Sequence, residues 1–228
     1  MSAEPVIRLE AVGKTYVAEG IETPVLFDVS LQVYPGEFVS IIGASGSGKT
    51  TLLNLMGLLD SVTTGGIWIE GRPVAHLDEP ARATLRRDRL GFIFQFHYLL
   101  PEFNVLENAL MPCRLRGRRF EAQQRERMAG LLAQVGLGDR LDTRATRLSG
   151  GQQQRVAVVR ALANDPALVF ADEPTGNLDS KSGHLVFELM RGLARETGKA
   201  FVMVTHDEHF AALADRTIHL QDGRIVPA

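Results

Sequence analysis

An apolar, β-branched run, Glu37-Phe38-Val39-Ser40-Ile41-Ile42, leads straight into the octet Gly43-Ala44-Ser45-Gly46-Ser47-Gly48-Lys49-Thr50, and Thr51-Leu52-Leu53-Asn54-Leu55-Met56 follows. The octet fits G-x-x-x-x-G-K-[ST], in which backbone N–H groups ring a phosphate while the lysine and the hydroxyl reach phosphate oxygen and Mg²⁺. The run before it reads as a buried strand and the run after it as a helix. A helix N-terminus adds partial positive charge that favours an anion. Strand, loop and helix are all present, so an α/β fold that binds a nucleotide phosphate is expected. Alone, the loop says nothing of the reaction.

A second stretch narrows the reading. In Leu148-Ser149-Gly150-Gly151-Gln152, Ser149 can cap a following helix, with Gln152 three residues on as in a capping box. Two glycines in a first turn weaken a helix, yet they let a ligand approach the backbone closely. That cost points to an anion site. Further on, Ala167-Leu168-Val169-Phe170-Ala171-Asp172-Glu173 is an apolar strand ending in two acids.

This order of three motifs resembles the ATP-binding cassette (ABC) family, and the resemblance runs from end to end of the chain. It implies an α/β, P-loop NTPase core with a mainly parallel sheet, an antiparallel β subdomain and an inserted helical subdomain. It also implies ATP and Mg²⁺ as ligands and a head-to-tail homodimer on ATP binding. Nucleotide would be held by Gly43 to Thr51, and Ser149, Gly150, Gly151 and Gln152 would contact ATP bound to the partner subunit. Asp172 resembles the Walker B aspartate that holds Mg²⁺ through water, together with Thr50 and Gln95. Glu173 would orient and polarise the attacking water, in keeping with phosphoryl transfer by positioning and electrostatics.

Other family positions follow one by one. Gln95, after Gly91-Phe92-Ile93-Phe94, matches the Q-loop glutamine, and His206, after Ala200-Phe201-Val202-Met203-Val204-Thr205, matches the switch histidine. His76, His97, His184, His209 and His219 read as surface or packing residues. Asp179, in Asn177-Leu178-Asp179, matches the D-loop and can equally cap a helix. Tyr16 takes the place of the aromatic that stacks on adenine, or is a half-buried strand tyrosine.

The chain is expected to be one ABC ATP-binding domain, residues 1–228, with the nucleotide-binding core and β subdomain at 1–95 and 148–228 and a helical subdomain at about 96–147. Val6 to Thr15, Val25 to Tyr34 and Ile67 to Gly71 read as strands of an antiparallel portion. Met128, Leu131, Leu132 and Val135 recur at helical spacing. After Pro166, strands alternate with a helix whose apolar face carries Leu185, Leu189 and Leu193. Asp222-Gly223 reads as a tight hairpin turn.

Composition is consistent with this. The 228 residues are 45% hydrophobic, enough for a proper core, and the formal charge of −2 gives no bias toward nucleic acid or anionic lipid. The clusters Arg82-Arg86-Arg87-Arg89 and Arg114-Arg116-Arg118-Arg119 read as a solvated face, since acids are interspersed and no aromatic platform accompanies them. One cysteine, Cys113, fits a reducing compartment, and the start Met1-Ser2-Ala3-Glu4-Pro5 lacks signal-peptide character. No apolar stretch approaches the roughly 20 residues of a membrane span. A transport channel would therefore belong to other polypeptides, with this chain peripheral on the cytoplasmic face of the bacterial inner membrane.

Phe94-Gln95-Phe96-His97-Tyr98-Leu99-Leu100-Pro101-Glu102-Phe103 resembles the Q-loop region of lipoprotein-releasing (LolD-type) ATPases. Phe170 to Asp179 is shared with the wider group that includes macrolide exporters of the MacB type. Lipoprotein release through separate permeases is the expected role, and a macrolide or peptide exporter or a regulatory cell-division ATPase the alternative. Permease subunits would dock near Phe96–Phe103, whose apolar residues can alternatively be core. Neither nucleic acid nor cargo is expected to touch the chain.

Overall fold

The computed structural model describes residues 4–227, so Met1 to Ala3 of the N-terminal run lie outside the described residues. The chain opens with an antiparallel pair, β1 (Ile7–Ala18) and β2 (Ile21–Val33), then runs through β3 (Phe38–Ile42) into α1 (Lys49–Met56). β4 (Thr64–Ile69) and β5 (Arg72–Pro73) complete a four-stranded antiparallel sheet of order β2-β1-β4-β5. α2 (Glu79–Arg89), β6 (Leu90–Phe94), α3 (Val105–Arg114), α4 (Arg118–Gln134) and α5 (Gly150–Ala161) come next. The last third holds β7 (Leu168–Asp172), α6 (Ser180–Thr197), β8 (Ala200–Val204), α7 (Glu208–Ala212), β9 (Arg216–Gln221) and β10 (Arg224–Val226).

Six strands form the central sheet in the order β10-β9-β3-β8-β7-β6, parallel except for β10. All five residues of β3 and of β8 are buried, the continuous apolar pattern of strands covered on both faces. Successive side chains fill opposite layers. Val202 and Val204 join Val39, Ile41 and α1 residues Leu52, Leu53 and Leu55 in the cluster between the two sheets. Phe201 and Met203 face the other way, with Phe38, Phe187 and Met190. There Phe38 meets Phe187 edge-on at 5.3 Å and stacks on Phe201 at 5.6 Å.

A third cluster lies among α3, α4 and α5, and Met128, Leu132 and Val135 of the helical repeat are buried in it. α3 starts at a capping box in which Asn104 Oδ1 accepts the Glu107 N–H and Glu107 Oε2 accepts the Asn104 N–H. Burying a side chain of Leu132's size stabilises by roughly 1.5–3 kcal/mol.

Three expectations are corrected. The strands read as Val6–Thr15 and Val25–Tyr34 are the arms of one longer hairpin, because Glu19 and Gly20 both take positive φ (52° and 79°) and turn the chain. In α6 the buried face carries Val186, Phe187, Met190, Leu193 and Ala194, while Leu185 is 57% exposed; so many apolar residues on this helix left more than one face available. Arg82 and Arg86 are not a solvated face. Both guanidiniums donate to the Leu58 carbonyl, Arg82 also to Asp60 O, and they fix the chain beyond α1.

Candidate functional site

β3 ends at Ile42 and α1 starts at Lys49, so residues 43–48 form the loop between them. Gly48 occupies the N-cap without any side-chain cap, which leaves the first-turn N–H groups of α1 for an anion. The Lys49 ammonium folds back over the loop and donates to Gly43 O (2.8 Å) and Ala44 O (2.9 Å). The C-terminal hairpin braces the loop from behind. Its turn, Asp222 and Gly223 with φ of 47° and 73°, is the hairpin turn expected, and the Gly223 N–H donates to Ser47 O at 3.0 Å. A β-carbon on Gly43 would lie 2.1 Å from Leu220 O, so only glycine fits there.

Strand register gathers the remaining groups. Phe94 pairs with Asp172 and Asp172 with Val204, so Gln95, Glu173 and Thr205 leave three neighbouring strands at one edge. Ligands of open α/β sheets bind outside this carboxyl edge. A cavity of about 490 Å³ there is lined by Ser45, Lys49, Thr50, Asp172, Glu173 and His206, among others. Glu173 sits at φ 45°, in the left-handed region that costs a non-glycine residue of order 1–3 kcal/mol, and its N–H donates to Val204 O at 2.9 Å. That backbone twist accompanies a carboxylate with two neighbours: Oε1 is 2.8 Å from His206 Nδ1, and Oε2 accepts from the Thr205 hydroxyl at 3.3 Å.

Burial, and next the Glu173 charge, raises the Asp172 carboxyl above its ordinary range, while the Lys49 ammonium opposes them. A group so placed gains from a nearby cation. Asp172 and the Thr50 hydroxyl offer hard oxygen donors to the same cavity, which fits a Mg²⁺ held partly by nucleotide and water. Among the described residues no three His, Cys, Asp or Glu side chains cluster as an all-protein metal cage.

Two other expected residues, Gln95 and Tyr16, are not among those lining this cavity. The Gln95 amide donates to Asn177 Oδ1 (3.2 Å), and Asn177 Nδ2 returns a bond to Gln95 O (3.4 Å). Tyr16 is 40% exposed on β1, its hydroxyl donates to Asp60 Oδ2 at 2.9 Å, and the Lys14 ammonium lies 4.6 Å from its ring centroid. Burial, the Asp60 hydrogen bond and, against them, a Thr51 hydrogen bond leave the Tyr16 phenol with a raised pKa. Thr51, from the first turn of α1, lines the cavity.

Ser149 and Gln152 form the expected capping box at the start of α5: Ser149 Oγ accepts the Gln152 N–H at 3.3 Å, and Gln152 Oε1 accepts the Ser149 N–H at 2.9 Å. Ser149, Gly150, Gly151 and Gln152 are not among the residues lining the cavity on their own subunit. Asp179 caps α6, accepting from Ser182 N (3.0 Å) and Ser182 Oγ (2.7 Å). It lines an adjoining cavity of about 510 Å³ shared with Glu173 and His206.

Several residues here escaped the sequence reading. His97, expected at the surface or in packing, donates from Nε2 to Gly150 O at 2.8 Å. Arg160 donates to His97 O (2.6 Å) and Tyr98 O (2.8 Å), and burial lowers its pKa. Gln154 is fully buried and donates to Phe94 O (3.2 Å) and Pro174 O (2.7 Å). Nothing in the run Gln152-Gln153-Gln154 marks the third glutamine as different from its neighbours.

The ABC transporter family, described as "ABC transporter", matches residues 26–176. The chain is similar to the "Lipoprotein-releasing system ATP-binding protein LolD" of Anaeromyxobacter dehalogenans, 51% identical over 98% of this chain and 94% of that one. It is also similar to the protein of the same description from Pseudomonas fluorescens, 47% identical over 99% of each chain. Among solved structures it resembles the ATP-binding cassette MJ0796, a dimer in a post-hydrolysis state bound to ADP and Pi. That match has a TM-score of 0.83 and 38% identity over 97% of each chain. The fold also matches cbiO1 from Clostridium perfringens, with a TM-score of 0.88 at 23% identity, over 98% of this chain and 87% of that one.

Proposed function

The chain belongs to the ABC transporter family of ATP-hydrolysing cassettes, and from that premise we propose that it is the ATPase subunit that energises lipoprotein release through separate membrane permeases. The observation that carries the chemistry is the gathering of Lys49, Thr50, Asp172, Glu173 and His206 around one cavity at the carboxyl edge of the sheet. The near-full-length similarity to lipoprotein-releasing proteins carries the biological role.

In this reading the N–H groups of Gly46 to Thr50 and the Lys49 ammonium hold the phosphates. Thr50 and Asp172, with Gln95, hold Mg²⁺, which neutralises charge on the phosphate oxygens when bound. Glu173 accepts a hydrogen bond from the attacking water and polarises it. His206, 2.8 Å from Glu173, fixes that carboxylate and reaches toward the γ-phosphate. Tyr16 stacks on adenine. Ser149, Gly150, Gly151 and Gln152 lie away from their own cavity and complete the site of a second copy, so ATP closes a head-to-tail homodimer and hydrolysis reopens it. Asp179 crosses that interface.

The unit is one ATP-binding domain with its helical subdomain at about 96–147. Phe96 and Tyr98 are 60% and 65% exposed, Leu100 is also exposed, and only Leu99 packs on the helical cluster. Of these side chains Tyr98 lines an apolar groove of about 480 Å³ together with Leu59, Phe92, Phe94, Met111 and Leu115, a surface suited to a short helix of a permease. No helix among the described residues is long and apolar enough to cross a membrane. In this reading the chain is a peripheral subunit on the cytoplasmic face of the inner membrane.

Affinity capture of the tagged chain from detergent-solubilised membranes, followed by mass spectrometry, tests the role. Two different permeases with few membrane helices and large extracytoplasmic domains are the expected catch. Recovery of a cell-division membrane protein alone, or of no membrane partner, would overturn the lipoprotein-release reading and leave the ATPase chemistry untouched.

A further inference from the structure

Gln154 is 0% exposed and lies about 7.5 Å along the α5 axis from Ser149, at the rise of an α-helix. Its amide N–H₂ bridges two separate strand exits. Phe94 O, 3.2 Å away, belongs to the residue before Gln95, and Pro174 O, 2.7 Å away, belongs to the residue after Glu173. Its Oε1 finds no hydrogen-bond partner among the described residues. A buried polar atom left unpaired costs about 1–3 kcal/mol, so an apolar residue of equal size would serve better if packing were the only demand. The two donated bonds are what the amide supplies.

From these contacts we infer that Gln154 is a positioning residue for ATP hydrolysis, holding the strand exits that carry Gln95 and Glu173 at a fixed separation and linking both to the helix that presents Ser149. Above the bridge the same exits are tied again by the Gln95–Asn177 pair. α5 is attached to the segment after β6 at two further points, His97 Nε2 to Gly150 O and Arg160 to the carbonyls of His97 and Tyr98. A movement of α5 is thus delivered to Gln95 and Glu173 through donated hydrogen bonds. Misplacement of a catalytic group by about 1 Å costs on the order of 10²-fold in rate, so a loss of at least ~10-fold is expected when the bridge is cut.

The inference rests on the roles given above to Glu173 and Gln95. Its test measures kcat, ATP affinity and thermal unfolding for Gln154→Met and, in case that variant does not fold, for Gln154→Asn, which keeps an amide but is shorter by one methylene. Asn164→Leu is the comparison, because Asn164 likewise donates from a buried amide to two carbonyls, Arg87 O and Pro112 O, away from the strand exits. The expected result is a drop in kcat of ~10-fold or more for Gln154→Met, a smaller drop for Gln154→Asn, and ATP affinity within twofold for both. Asn164→Leu should lose thermal stability and keep kcat within twofold. A kcat within twofold of the parent in both Gln154 variants, or an equal loss in Asn164→Leu, overturns the positioning role. Glu173→Gln run alongside separates the two failures, since its unchanged turnover would remove the site assignment itself.

Discussion

Glu173 Oε1 lies 2.8 Å from His206 Nδ1, a contact between residues 33 positions apart that parallel pairing of β7 with β8 brings to one edge of the sheet. Asp172 pairs with Val204, so the residues just beyond them share one edge. His206 is the exposed partner and Glu173 the largely buried one. The imidazole therefore fixes a carboxylate that the protein already holds at an unfavourable φ.

His206→Ala should lower kcat by ~10-fold or more and change nucleotide affinity by no more than a few fold. Steady-state hydrolysis with fluorescent-nucleotide titration measures both. A loss of affinity with kcat unchanged would mean that His206 supports binding alone.

Asp60 gives a prediction on stability and pH. Burial by itself raises its carboxyl, but hydrogen bonds from Lys14 Nζ, the Ser61 N–H and the Tyr16 hydroxyl outweigh it and hold the carboxyl below its ordinary value. A carboxyl depressed on folding contributes stability at pH values above its unfolded pKa, about 3.9, and loses it as pH falls through the lower folded value. Asp60→Asn should cost about 1–2 kcal/mol at pH 7 in urea unfolding. The gap from the parent should narrow below pH ~4.

Tyr16→Ala should weaken ATP binding by ~10-fold, since stacking an aromatic side chain on a base is worth about 1–3 kcal/mol. Titration with ATP and with inorganic triphosphate separates the causes. Triphosphate affinity should stay within twofold, because Tyr16 is assigned to the base and not to the phosphates.

Much of this was legible in the sequence because the nucleotide loop, the Ser149 cap and the acidic end of β7 are each local. Ser149-Gly150-Gly151-Gln152 states its own capping box, and Asp222-Gly223 its own turn. The largely parallel character of the sheet was likewise readable from the apolar runs that alternate with a helix after Pro166, but the order of its strands was not. What could not be read depends on contacts between distant segments. Leu185 and Val186 are equally apolar, and only the packing of α6 on Phe38 and Phe201 selects the second. Arg82 looks like a surface charge until the chain after Leu58 folds back to meet it. Gln154 and His97 act through carbonyls of other elements, and a carbonyl leaves no mark on composition or spacing.

The most direct test of the central claim, a hydrolysis site completed by a second copy, is the mass of Glu173→Gln by light scattering with and without MgATP, a variant expected to bind ATP while turnover falls by about 10²-fold or more. The account predicts that the mass doubles from 25.0 kDa when ATP is added and returns to it when ATP is removed. A variant that binds ATP and stays at the single-chain mass would contradict the composite site.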